Sequence, residues 1–213
     1  MNIKTVLELQ EKLDEELAWR KRELTHFDYL LLTVNDEHKV STLLRSGYST
    51  LYSHWEGFVK RSGSFFLNFI TNQDISLDKI SYCLITALIH KRLQPIIRTN
   101  KPSAINKITD IYFNLQHLNT TELQCIELQT ESNLKSTPFK EIVWTLGFDY
   151  TPFEIDEQFI DTTLVDKRNK IAHGERLTIS QQDFEQAKSK VIAMLEIFKD
   201  KIIESALHDK YTQ

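Results

Sequence analysis

Residues 168–175 read RNKIAHGE, which sets Arg168 five positions before His173, with Asn169 just after the arginine and a glycine just after the histidine. An arginine keeps its charge at any physiological pH and presents a planar fork of donors that fits a phosphate. A histidine is the side chain best suited to exchange protons near neutrality. Successive residues of an α-helix turn by about 100°, so Asn169 and His173 share a face. Arg168 starts to one side of that face, and its long side chain reaches around. Together the two residues suit a phosphodiester. The same pattern also has a purely structural meaning, because a cation in the last turn of a helix opposes the negative end of its dipole. Spacing alone leaves both readings open.

Other candidates carry similar alternatives. Glu56 is four residues from both Tyr52 and Lys60. It either pairs with Lys60 on the helix surface or points inward to hold Arg168 or His173. Tyr48 and Tyr52 lie on the same side, to pack or to hydrogen-bond in a cleft. No acidic residue falls between Asp78 and Asp110, where Lys79, Lys91, Arg92, Arg98, Lys101 and Lys107 are found. Such a run is either a solvated face or a surface that tracks phosphates, with Lys91, Arg92, Arg98 and Lys101 as its RNA contacts. The seven histidines are scattered singly, and His54 and Glu56 are two apart, so no metal site is expected. Glycine loops of the Walker and GxGxxG types, HExxH and GxSxG are all absent, which removes support for P-loop hydrolysis, zinc proteolysis and serine-elbow chemistry.

The elements that must position these residues are helical. Only 5 glycines and 4 prolines occur in 213 residues, with no proline before Pro95. Leu9, Leu13, Leu17, Leu24 and Phe27 keep helical spacing from Val6 onward. Leu44, Tyr48, Leu51, Tyr52, Trp55, Val59 and Phe66 do so from about residue 37 to 72. Ser76 is placed to cap a helix over 77–93, with Pro95 ending or kinking it. KPSAINKITDIYFNLQ (101–116) reads as another helix, and 118–135 as a loop with short ordered pieces. Ser136 or Thr137 is the expected cap of the next helix, with Pro138 in its first turn. A helix over 155–173 then ends at Gly174. Ser180 and Asp183 open the last one, whose core face carries Phe184, Val191, Leu195 and Phe198. The expectation is an all-α bundle of about five to seven helices in a single domain over 1–213. The N-terminal helix occupies 1–36, the central helices with the basic stretch 37–117, and the C-terminal half 136–210.

Composition agrees with a folded globular chain: 41% of residues are hydrophobic and 26% charged. A formal net charge of -4 argues against a general duplex-DNA binder. The longest uncharged run, SGSFFLNFITNQ at 62–73, is too short and too polar to span a bilayer, so no membrane partner is expected. The charged N-terminus lacks the apolar core of a secretory signal. Cys83 and Cys125 lack metal-type spacing and are expected to be buried free thiols, in keeping with a cytoplasmic address.

RNKIAHGE resembles the RxxxxH signature of the HEPN superfamily, with Arg168 and His173 at its two key positions. YSTLYSHWEGFVK (48–60) is similar to the second-helix region of a bacterial HEPN-like nuclease family. LVDKRNKIAHGERLTIS and the capped helix after it match that family's C-terminal half. The resemblance runs roughly from Ser41 to Phe198. It implies a helical bundle that dimerises with its two RxxxxH segments face to face. Members with the motif intact act as metal-independent endoribonucleases, often as toxins or in defence against phage. Others are inactive modules that bind RNA, a nucleotide or a protein. Both motif positions are intact here, which favours the active kind. On that reading Arg168, His173 and Asn169 are catalytic and Glu56 and Tyr52 support them. No cofactor is needed, and the partners are RNA, a second copy of the chain and an antitoxin or defence-system protein.

Overall fold

With so few helix breakers in its first half, the chain forms two long helices there. A computed structural model describes residues 2–97, 106, 108, 109 and 120–213. Helix α1 spans Val6–Thr33 and α2 spans Glu37–Thr71. Thr5 opens α1 in a reciprocal cap: its hydroxyl accepts from the Glu8 N–H, and the Glu8 carboxylate accepts from the Thr5 N–H, each at 3.2 Å. Asp36 opens α2 by accepting from the Lys39 N–H at 2.9 Å. The last long helix, here α6, spans Gln181–Leu207, and Ser180 caps it by accepting from the Asp183 N–H at 3.0 Å.

Helices α1, α2 and α6 pack against one another along their apolar stripes. Leu9, Leu13 and Leu24 of α1, Tyr48, Trp55, Phe58 and Phe66 of α2, and Phe184 and Phe198 of α6 are fully buried. Each such side chain contributes about 1.5–3 kcal/mol by leaving water. Phe139 ties in the central segment, its ring 4.7 Å from that of Trp55 and 4.9 Å from that of Phe153. At Gly63 on α2 the packing is close: a Cβ there would stand 2.3 Å from Leu128 Cδ1, so the leucine side chain would have to turn away.

Between the long helices the structure departs from several expectations. Ser76 does not cap a helix over 77–93. A short 3-10 turn, Leu77–Lys79, is followed by extended chain, and α3 spans Tyr82–Ile97, running past Pro95. The backbone of 79–81 is engaged elsewhere: Ser81 N–H donates to Tyr211 O, Gln213 N–H donates to Lys79 O, and Ile80 bridges Thr212. A helix can begin only after those bonds. The helix expected over 101–116 lies outside the described residues, apart from Asn106, Ile108 and Thr109, which are helical. Residues 120–125 form a 3-10 turn, and α4 spans Ser136–Thr145.

Neither Ser136 nor Thr137 caps α4 with its own side chain. Ser136 is instead its first residue. Its N–H and its hydroxyl both donate to the Asp161 carboxylate, at 2.7 Å each. The expected 155–173 helix is present but irregular. Thr151–Asp156 is a 3-10 turn, residues 157–158 are α-helical, Phe159–Val165 is π-helical, and Asp166–Ala172 (α5) is α-helix again. The π turn inserts one extra residue, which swings the face shown by everything after it by about 100°. Cys83 is half-buried and Cys125 exposed, so the two free thiols are not both in the core. Among the described residues there is no strand, and no helix is long and apolar enough to cross a membrane.

Candidate active site

Helix α5 ends in a closed turn. Gly174 N–H donates to Ile171 O at 3.1 Å and Glu175 N–H to Lys170 O at 2.9 Å, the two bonds of a Schellman motif. Gly174 has φ +79°, with nothing within 4 Å of where a Cβ would sit. Conformation rather than space therefore demands glycine, since a left-handed residue with a Cβ costs roughly 1–2 kcal/mol. His173 is the residue at the helix end, exposed, its own N–H donating to Asn169 O at 2.9 Å. Asn169 is half-buried one turn before it.

Arg168 is half-buried on the ring of Tyr52, with Cζ 3.8 Å from the ring centroid. Its Nε is shielded from solvent and, among the described residues, has no hydrogen-bond partner. Tyr52 is itself fixed from the far side, because its hydroxyl accepts from the Leu134 N–H at 2.8 Å. Trp55, three residues on, donates from its indole to the Leu134 carbonyl at 3.2 Å. Thus α2 clamps both sides of residue 134. Burial, and next the Glu56 carboxylate beside it, push the Tyr52 hydroxyl up to about 12, so it stays protonated at neutral pH.

Neither expected role of Glu56 is seen. Among the described residues it makes no ion pair with Lys60 or with Arg168. It accepts a 2.7 Å hydrogen bond from the Thr130 hydroxyl and meets Arg168 only by way of Tyr52. Tyr48 lies on the same side of α2. Its hydroxyl donates to Thr163 O at 3.0 Å, inside the π turn, and the Lys167 ammonium sits 5.6 Å from its ring. Burial raises its pKa as well. Tyr48 therefore both packs and hydrogen-bonds, joining α2 to the segment that leads into Arg168.

The basic stretch is partly spent inside the fold. The Arg92 fork grips the Glu122 carboxylate, with Nε–Oε2 3.1 Å and Nη2–Oε1 2.6 Å, and the Lys91 ammonium donates to the Cys125 carbonyl. Both residues brace the 120–125 turn against α3. Arg98, Lys101 and Lys107 lie outside the described residues. Beyond the Glu56–Thr130 pair opens a polar cleft of about 600 Å³, lined by Lys60, Ser64, Lys91 and residues 124–131. Among the described residues no three His, Cys, Asp or Glu side chains group as a metal site would need.

The structure thus brings Arg168, Tyr52 and Glu56 together, with Asn169 and His173 on the same short helix as Arg168. Arg92 is engaged with Glu122, and Lys91 lines the polar cleft beyond Glu56 and Thr130 with no contact to Arg168 among the described residues. Two contacting residues escaped the sequence reading. Thr130 carried no local signal. Arg45, whose Nη2 donates to Glu175 O at 2.9 Å, did carry one, for it lies on the same three- and four-residue stripe as Tyr48, Tyr52 and Glu56. In comparison with known proteins, the chain matches the model of an MAE_28990-like HEPN family over residues 9–211. No curated protein and no solved structure matches it.

Proposed function

The chain belongs to the HEPN superfamily, whose model covers nearly all of it, and from that premise we propose that it is a metal-independent endoribonuclease. Membership alone points to a nuclease or an RNA-binding module. The observation that carries the finer reading is the pairing on α5. Arg168 lies partly desolvated on Tyr52 with an unpartnered Nε, and His173 stands open to solvent five residues later.

Cleavage of this kind uses the RNA's own 2′-hydroxyl. A base takes its proton, O2′ attacks the adjacent phosphorus, and the bond to O5′ breaks as an acid supplies a proton to that oxygen. The products are a 2′,3′-cyclic phosphate and a 5′-hydroxyl. Positive charge at the non-bridging oxygens stabilises the crowded phosphorus, the role assigned to the Arg168 fork. One imidazole cannot serve as base and acid in the same step. A two-fold homodimer with its α5 ends facing supplies two histidines, two arginines and two Asn169 amides around one cleft. The biological setting in this reading is a cytoplasmic toxin or antiphage effector, held in check or triggered by a partner protein.

The test is incubation with mixed RNAs in EDTA, wild type beside Arg168→Lys. The wild type is expected to leave cyclic-phosphate ends, and the lysine variant to lose most of its activity, because an ammonium lacks the planar fork. Retention of RNA without cleavage would overturn the nuclease reading in favour of a binding module.

A further inference from the structure

His173 is exposed, so no packing holds its ring. Its placement comes from the backbone of 172–175, which among the described residues is tied to α2 at Glu175. Arg45, 130 positions earlier, donates from Nη2 to the Glu175 carbonyl at 2.9 Å, and its Nε is buried without a partner among the described residues. Glu175 is also where the helix-ending turn closes, since its own N–H bonds to Lys170 O. The turn is therefore locked from within on the amide side, while the Glu175 carbonyl, which also accepts from the Leu177 N–H at 3.0 Å, is pinned to α2 by Arg45.

The pin belongs to a series. Arg45, Tyr48, Tyr52 and Glu56 succeed one another on α2 at steps of three and four, which makes one stripe. Across from them lie Glu175, Thr163, Arg168 and Thr130 respectively. Three of the four meet a residue of 163–175, so α2 acts as the rail along which the Arg168–His173 segment is laid. Arg45 is its outermost contact.

We propose that Arg45 is a positioning residue of the active site: by holding the Glu175 carbonyl it fixes the direction in which the His173 imidazole is presented. The proposal rests on the ribonuclease reading. A small misplacement of a proton-transfer group slows the chemical step without weakening binding. Arg45→Ala should therefore lower kcat by about 10–100-fold and leave KM within about threefold. A lysine can donate one bond to the same carbonyl, so Arg45→Lys should recover most of the rate.

The experiment compares wild type, Arg45→Ala, Arg45→Lys and His173→Ala in single-substrate RNA cleavage, with amide hydrogen exchange over residues 171–177 on the same samples. Support consists of a kcat defect in the alanine variant, at least about tenfold faster exchange there, as loss of a charge-assisted bond implies, and rescue of both by lysine. Wild-type kcat in Arg45→Ala, with His173→Ala inactive, would overturn the positioning role and leave the nuclease reading standing. A lysine variant as poor as alanine would overturn it in favour of a direct phosphate contact, as would a raised KM at unchanged kcat. If His173→Ala cleaves as wild type, His173 is outside the mechanism and the positioning role of Arg45 fails with it; if wild type itself leaves the RNA intact, it is the nuclease reading that fails, and the exchange data still decide whether the pin exists.

Discussion

Removing one oxygen from Tyr52 separates its two jobs. In Tyr52→Phe the ring under Arg168 is kept, whereas the acceptor of the Leu134 N–H is lost. Leu134 is 0% exposed, so no water replaces that acceptor. An orphaned buried donor costs about 1–3 kcal/mol. In a chain of this size each kcal/mol moves Tm by about 2–4 °C, so Tm should fall by about 2–12 °C. Cleavage should fall by less than about tenfold, whereas loss of a group that itself transfers a proton costs about 10²–10⁴. Tyr52→Leu, which also removes the ring from beneath Arg168, should be worse on both counts. Thermal unfolding followed by far-ultraviolet circular dichroism, with cleavage rates on the same preparations, reads both effects. A Tyr52→Phe protein melting within about 1 °C of wild type would refute the bond to Leu134. One that melts low and loses more than about 100-fold in rate would show that the hydroxyl, and not the ring, serves the chemistry.

Two further perturbations test how the site is framed. Asp161→Ala strips the acceptor from both the N–H and the hydroxyl of Ser136, and urea unfolding should show a loss of about 2–3 kcal/mol; Asp161→Asn, which keeps one oxygen, should lose about half of that. His54 is 3% exposed, and burial lowers its pKa even though its Nε2 lies 2.8 Å from a Glu23 carboxylate oxygen that raises it. Its folded pKa is therefore below the unfolded value of about 6.5, so the unfolded chain takes up the proton first. Stability should be full above about pH 6.5 and fall as the pH drops towards the folded pKa, and the fall should be shallower in His54→Gln, as measured by urea midpoints between about pH 7 and 5.5.

What was legible in the sequence was local. The stripes of α1 and α2, the Ser180 cap and the stop at Gly174 each follow from residues within one or two turns of each other. What was not legible depends on partners far along the chain. The helix after Ser76 starts late because 79–81 bond to 211–213. Helix α4 is capped by Asp161, which no reading of 135–138 could reveal. Glu56 turns to Thr130 and not to its i+4 neighbour Lys60 because the hydroxyl of a buried residue 74 positions away gives it a shielded bond. Lys91 and Arg92 look like a phosphate surface in one dimension, but Glu122 and the Cys125 carbonyl engage them in three. The π turn before Arg168 belongs to the same class, since its Thr163 carbonyl is met by Tyr48 from α2. The motif itself was readable; the rail that carries it was only half so, because α2 showed its stripe but not what lay across from it.

That His173 moves protons in RNA cleavage is decided by His173→Ala in the presence of EDTA, with cleavage and product ends read beside wild type. The side chain is exposed at a helix end, so its removal should change stability by no more than about 1 kcal/mol. Wild type should leave 2′,3′-cyclic phosphate and 5′-hydroxyl ends, and the variant should remain folded and cleave nothing. Undiminished cleavage by His173→Ala would contradict it and return residues 168–175 to the role of a helix end.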